Sequence, residues 1–206
     1  HKIAFTAFGA QQTHGQRYNR FTIAHNRSTE QGGKRFNADW GYRNGQIEHV
    51  SYNFYHKPQM SLNHYWSVND KTSISTALYA SFGSGGGRRE VGNKLGTEEY
   101  RFGGFDQPIN FDKVVEENKA NGLAGSSDIL AASKNSHNWY GILSTLKTDL
   151  SETLALTAGI DARYYVGSHY YEVTDLLGGQ FWINDYGSDN NNYGDPLKVG
   201  DRFNKD

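Results

Sequence analysis

The chain has no cysteine, which excludes a disulfide framework and any thiolate metal site. Three prolines in 206 residues are too few for a proline-rich disordered chain. Neither sign of charge dominates, with 21 Lys and Arg against 22 Asp and Glu, and this argues against a nucleic-acid partner held by bulk positive charge. No apolar run approaches the roughly 20 residues of a transmembrane helix, and no signal-peptide pattern stands at the first residue. Because a β-barrel crosses with strands, the lack of a helical span leaves that route through a membrane open. A GxSxG nucleophile elbow is missing, and Glu98 and Glu99 stand in loop sequence without a recognisable acid–base partner. The chain is therefore expected not to be an enzyme. The first residue is His1 and the last six, "DRFNKD", are polar, so a segment of a longer protein is expected.

Aromatics and glycine are abundant, with 14 Tyr, 11 Phe and 24 Gly, in a chain whose mean hydropathy is only −0.76. The clearest pattern is "TLALTAGIDARYYVGSHYYEV", residues 153–173. From Leu154 every second residue is Leu, Leu, Ala, Ile, Ala, Tyr, Val, and the intervening set includes Asp161, Arg163 and Tyr165. Period two holds for about fourteen residues, more than twice the usual strand of about five or six. "PQMSLNHYWSV" (58–68) and "TSISTALYASF" (72–82) alternate in the same way. "KIAFTAFGA" (2–10) and "HNWYGILSTLKT" (137–148) do so less cleanly, making about five strand candidates in all.

The connections add a second pattern. "NDK" (69–71) and "DLSE" (149–152) are tight polar turns, whereas long stretches separate the first strand from the second, separate the third from the fourth, and follow the fifth. Such lengths are unusual inside compact domains. They suit a transmembrane β-barrel, in which short periplasmic turns alternate with long extracellular loops and each tilted strand turns an apolar side to lipid. The reading is an all-β chain: a transmembrane antiparallel β-barrel segment of about five strands, part of a larger barrel. Within the long connections, "NFDKVVEENKANG" predicts a helix capped by Asn110 and stopped at Gly122, and "SSDILAASKN" predicts a second short helix capped by Ser126 or Ser127.

The stretches "FTAFGAQQTHGQR", "MSLNHYWSVNDKTSISTALYASFGSGGGRR" and "LALTAGIDARYYVGSHYYEVTDLLGG" resemble barrel segments of TonB-dependent outer-membrane transporters of the Bacteroidota type. That resemblance implies a barrel of about 22 strands around an N-terminal plug. It implies energised uptake of a nutrient in the cell outer membrane, with extracellular loops capturing the substrate. The implied partners are the TonB complex acting through the plug, outer-membrane lipid and lipopolysaccharide, and a surface lipoprotein lid. Plug, TonB box and closing strand do not occur within residues 1–206, so the whole chain is expected to be part of one barrel domain. Two other classes compete: a soluble all-β glycan-binding or adhesion module, and a passive porin.

Substrate contacts are expected from His14, Arg17 and Tyr18 beyond the first strand, and from His169, Tyr170 and Trp182 beyond the fifth, since binding sites mix aromatics with polar groups. "FGSGGGRRE" (82–90) lacks the ending of a phosphate loop, and a flexible loop with solvated Arg88 and Arg89 is expected there. His14, His25, His49, His56 and His64 show no HxH or HExxH spacing, so no metal site or cofactor is expected. Asp185, Asp189 and Asp195, among Asn and Gly, are weak calcium candidates without the closing Glu of an EF-hand. Asp161 and Arg163 fall on the polar side of their strand, the expected lumenal face.

Overall fold

The computed structural model describes residues 1–29, 33–187 and 192–204. It shows an all-β chain with mainly antiparallel sheets. In chain order the elements are β1 (Lys2–Phe8), β2 (Gln11–Gly15), helix α1 (Ile23–Ser28), β3 (Trp40–Arg43), β4 (Gln46–His49), β5 (Tyr52–His56), β6 (Gln59–Asn69) and β7 (Thr72–Val91). Then come β8 (Ile109–Asn110), helix α2 (Phe111–Ala120), β9 (Ile129–Asp149), β10 (Ala155–Asp175), β11 (Trp182–Ile183), β12 (Pro196–Leu197) and β13 (Arg202–Phe203). The strands expected from alternation are β1, β6, β7, β9 and β10, and they pair in that order. Among the described residues β1 and β10 do not pair with each other, so the sheet is open.

The two tight turns stand where the sequence places them. Asn69 pairs with Thr72 across a bulge at Val68, and the Asn69 Oδ1 accepts from the Lys71 amide at 2.9 Å. At the other turn the amides of Leu150 and Ser151 both donate to the Leu154 carbonyl.

The chain divides into two compact units. The first comprises His1–Gln12, Tyr55–Gly85 and Asn135–Ser168, and the second comprises Thr13–Phe54, Gly86–Lys134 and His169–Asp206. Every buried hydrophobic residue among those described belongs to the second unit, in which two clusters form. One gathers Leu95, Ile109, Phe111, Val114, Leu130 and Leu177. The other gathers Val91, Ile129, Val173, Trp182, Leu197 and Phe203.

Helix α2 forms as its sequence predicts. The Asn110 side chain accepts from the Lys113 amide, which satisfies one orphan donor of the first turn. Phe111, Val114 and Asn118 make the buried stripe. Asn118 has all of its amide in use: Nδ2 donates to the carbonyls of Asp128, Leu176 and Leu177, and Oδ1 accepts from Ser127.

Three expectations are corrected. "SSDILAASKN" is not a helix but the start of β9. Ile129 and Ala131 enter one cluster while Leu130 enters the other, so successive side chains must point to opposite sides, which only a strand allows. "FGSGGGRRE" is not a flexible loop but the second half of β7. Its glycines admit close neighbours: a Cβ on Gly83 would meet the His137 ring, and one on Gly86 would lie 2.6 Å from the Ser133 carbonyl. Arg88 and Arg89 are not solvated either, since Arg88 pairs with Glu48 and Arg89 donates to the Tyr171 hydroxyl. Beyond the first expected strand, Gln11–Gly15 forms a further short strand that pairs with β5.

Candidate functional site

The pleat of the first unit separates two chemistries. Ile3 pairs with His64, Phe5 with Leu62 and Ala7 with Met60. Across the next seam Leu62 pairs with Leu78, His64 with Thr76 and Trp66 with Ile74. The Thr76–Ser144 hydroxyl pair at 2.8 Å and the Phe82–Tyr140 ring contact at 5.6 Å carry the same parity into β9. The even-numbered side chains of β6, β7 and β9 therefore share a face with the odd-numbered ones of β1. That face is apolar and uncovered by protein: Phe5 is 68% exposed, and on β10 Ile160 is 70% exposed.

The opposite face carries Ser61, Tyr79, Ser81, His137, Trp139, Asp161, Arg163 and Tyr165. A hollow of about 400 Å³ opens on it, lined by Gln59, Ser61, Tyr79, Ser81, Trp139, Leu143, Asp161 and Arg163 among others. Its aromatic wall is a chain of edge contacts, with Tyr79 and Tyr165 each 6.2 Å from Trp139. His137 stacks on Tyr165 at 5.8 Å, and Ser81 bonds the His137 ring at 3.2 Å. Asp161 and Arg163 form a two-point ion pair, in which Nε donates to Oδ1 at 3.1 Å and Nη2 to Oδ2 at 2.5 Å. The pair commits two of five guanidinium N–H groups, so Arg163 retains donors for a further acceptor. Rings, hydroxyls and a neutralised Arg–Asp pair together suit the binding of a polar molecule or chain.

The residues expected to contact substrate do not converge there. His14, Arg17 and Tyr18 lie in the second unit. The Tyr18 amide donates to Asp39, and Arg17 Nη1 donates to the Phe36 carbonyl at 3.2 Å. Tyr170 carries the Arg202 guanidinium over its ring at 4.1 Å, and His169 is an exposed position on β10. Trp182 is a correction. It is 2% exposed and packs on Phe203 at 5.3 Å, so it fills a core rather than facing a ligand. Asp185 and Asp195 are exposed and Asp189 lies outside the described residues. Among the described residues no three His, Asp or Glu side chains gather to hold a metal ion.

Tyr79 and Trp139 went unrecognised as site residues in the sequence. Their signal was parity: both occupy the same side of their strands as Asp161 does, once β7, β9 and β10 are paired. The chain matches no protein-family model, no curated protein and no solved structure.

Proposed function

We propose that the chain supplies consecutive staves of a TonB-dependent transporter barrel in the outer membrane, with the Trp139–Asp161–Arg163 hollow on the lumenal wall. What supports this is the first unit's lack of any buried hydrophobic residue beside a full apolar face. Exposed apolar surface costs about 25 cal/mol per Å² in water, and hydrocarbon removes that cost. The dimensions agree: from Leu154 to Tyr164 the chain advances about 33 Å at about 3.3 Å per residue. A tilt of about 35–45° turns that advance into the roughly 25 Å height of a barrel's apolar band.

Several polar groups on this face bond one another, as a medium without water favours. Thr76 bonds Ser144, and the His1 ring bonds His64 at 3.1 Å. Phe82, Tyr140 and Tyr164 would form the aromatic girdle at one rim and Trp66 at the other. In this reading the long connections capture a nutrient, the TonB complex acts through a plug supplied elsewhere in the protein, and a lipoprotein lid seats on the loops. No bond is made or broken.

The test is solubility in its native form. Near-ultraviolet dichroism from Trp66 and Trp139, the tryptophans of the first unit, is expected only in detergent micelles or lipid. A monomer whose first unit is folded in plain buffer would overturn the reading in favour of a soluble module. A full reading frame without a plug would turn it towards a porin.

A further inference from the structure

The second unit contains a different, basic site that does not depend on the transport reading. Residues 13–38 carry Arg17, Arg20, Arg27, Lys34 and Arg35 against one acid, Glu30, although the whole chain is balanced at −1. Within this stretch Gln16, Arg17, Tyr18, Asn19, Arg20, Phe21 and Asn26 line a hollow of about 540 Å³, a volume suited to a small ligand.

Its walls are held from behind. The Gln16 amide donates to the Ser51 carbonyl at 2.8 Å. Buried Asp39 spends both oxygens on the amides of Tyr18 and Asn19 and on Asn19 Nδ2. Phe21 stacks on His25 at 4.6 Å and leans on Phe36 at 5.7 Å. Asp39 is thus committed to holding the backbone.

The lining, by contrast, retains donors. Arg17 uses a single N–H, on the Phe36 carbonyl. Arg20 is exposed and has no partner among the described residues. Asn26 lines the hollow beside them.

We propose that this hollow binds phosphate groups, Arg17 and Arg20 taking the oxygens through their planar forks. Guanidinium forks match phosphate oxygens two at a time, and the two that line this hollow suit a doubly charged group.

The experiment titrates the full chain with inorganic pyrophosphate at constant ionic strength set by chloride. In parallel it measures retention on mixed micelles containing phosphatidic acid or phosphatidylcholine. Saturable binding to pyrophosphate, or retention on phosphatidic acid but not on phosphatidylcholine, is expected. Arg20→Gln should weaken whichever is seen by at least tenfold without moving the melting temperature. Binding of pyrophosphate alone identifies a soluble phosphate ester as the ligand, and retention on phosphatidic acid alone identifies a lipid headgroup. Equal binding by the wild type and Arg20→Gln, or no binding in either arm beyond the chloride and phosphatidylcholine controls, overturns the proposal.

Discussion

At the residue scale, the least ordinary group is Glu90 near the end of β7. Burial, with the Asp128 carboxyl bonded against it, pushes its carboxyl up to about 7 from an ordinary 4.5. Its Oε1 accepts from the Leu95 amide at 2.6 Å, and Asp128 Oδ1 accepts from Asn93 and Lys94 at 2.8 and 2.9 Å. The two carboxyls thus hold the turn after β7, with Val91 in one cluster and Leu95 in the other. A folded-state value above the unfolded one means that this stabilisation is complete below about pH 4.5. It is lost as pH rises through about 7, by on the order of 3 kcal/mol. Glu90→Gln keeps a neutral partner at every pH. Denaturant melts at pH 5 and pH 8 should therefore show the wild type losing stability relative to that variant as pH rises. A second residue-scale prediction concerns Gly86, whose missing Cβ admits the Ser133 carbonyl. Gly86→Val forces backbone apart, and a loss at the upper end of about 1–3 kcal/mol is expected from the same melts.

At the element scale, β10 presents a paired test. Ile160 is on the apolar face and Thr157 on the polar one. Ile160→Arg should cost about 2–4 kcal/mol in lipid or detergent, the range for a charge at the bilayer midplane, whereas Thr157→Arg should cost far less. Equal losses would mean that neither side faces hydrocarbon. Helix α2 carries its own prediction: Asn118→Ala takes the side-chain donor from the carbonyls of Asp128 and Leu177, while the Leu176 carbonyl keeps the Ser126 hydroxyl, and about 1–3 kcal/mol per buried group left unsatisfied should follow. This scale also shows the limits of pattern. Strand alternation over 58–68, 72–82 and 153–173 was legible because each strand has one apolar side. The run Ile129–Ala132 was not, because a strand buried on both sides shows no alternation and its capping serines read as a helix start.

For the whole molecule, the two units are expected to respond differently to the medium. The second unit buries its own clusters, so its strands need only water outside them. The first unit buries no hydrophobic residue of its own, so its order depends on what covers Phe5, Leu62, Leu78 and Ile160. Amide hydrogen exchange should show β6 and the Ala155–Ser168 part of β10 protected in detergent and unprotected in plain buffer. Ile129, Leu130 and Val173 should stay protected in both. Protection of β6 without detergent would remove the main support for a barrel.

The sequence by itself determined five strands of the main sheet, the two tight turns and the cap of α2. Each follows from a local rule: period-two alternation, a polar turn between two such runs, or a side chain that satisfies an orphan amide within three residues. It also determined that Asp161 and Arg163 share a side. Only the tertiary structure decided that residues 82–91 and 129–136 extend those strands, that Trp182 is core, and that Tyr79, Trp139 and Tyr165 stand together around the Asp161–Arg163 pair. Those outcomes depend on which strand lies beside which and on how its register falls. Neighbours distant in the chain set both, so no window of local sequence contains them.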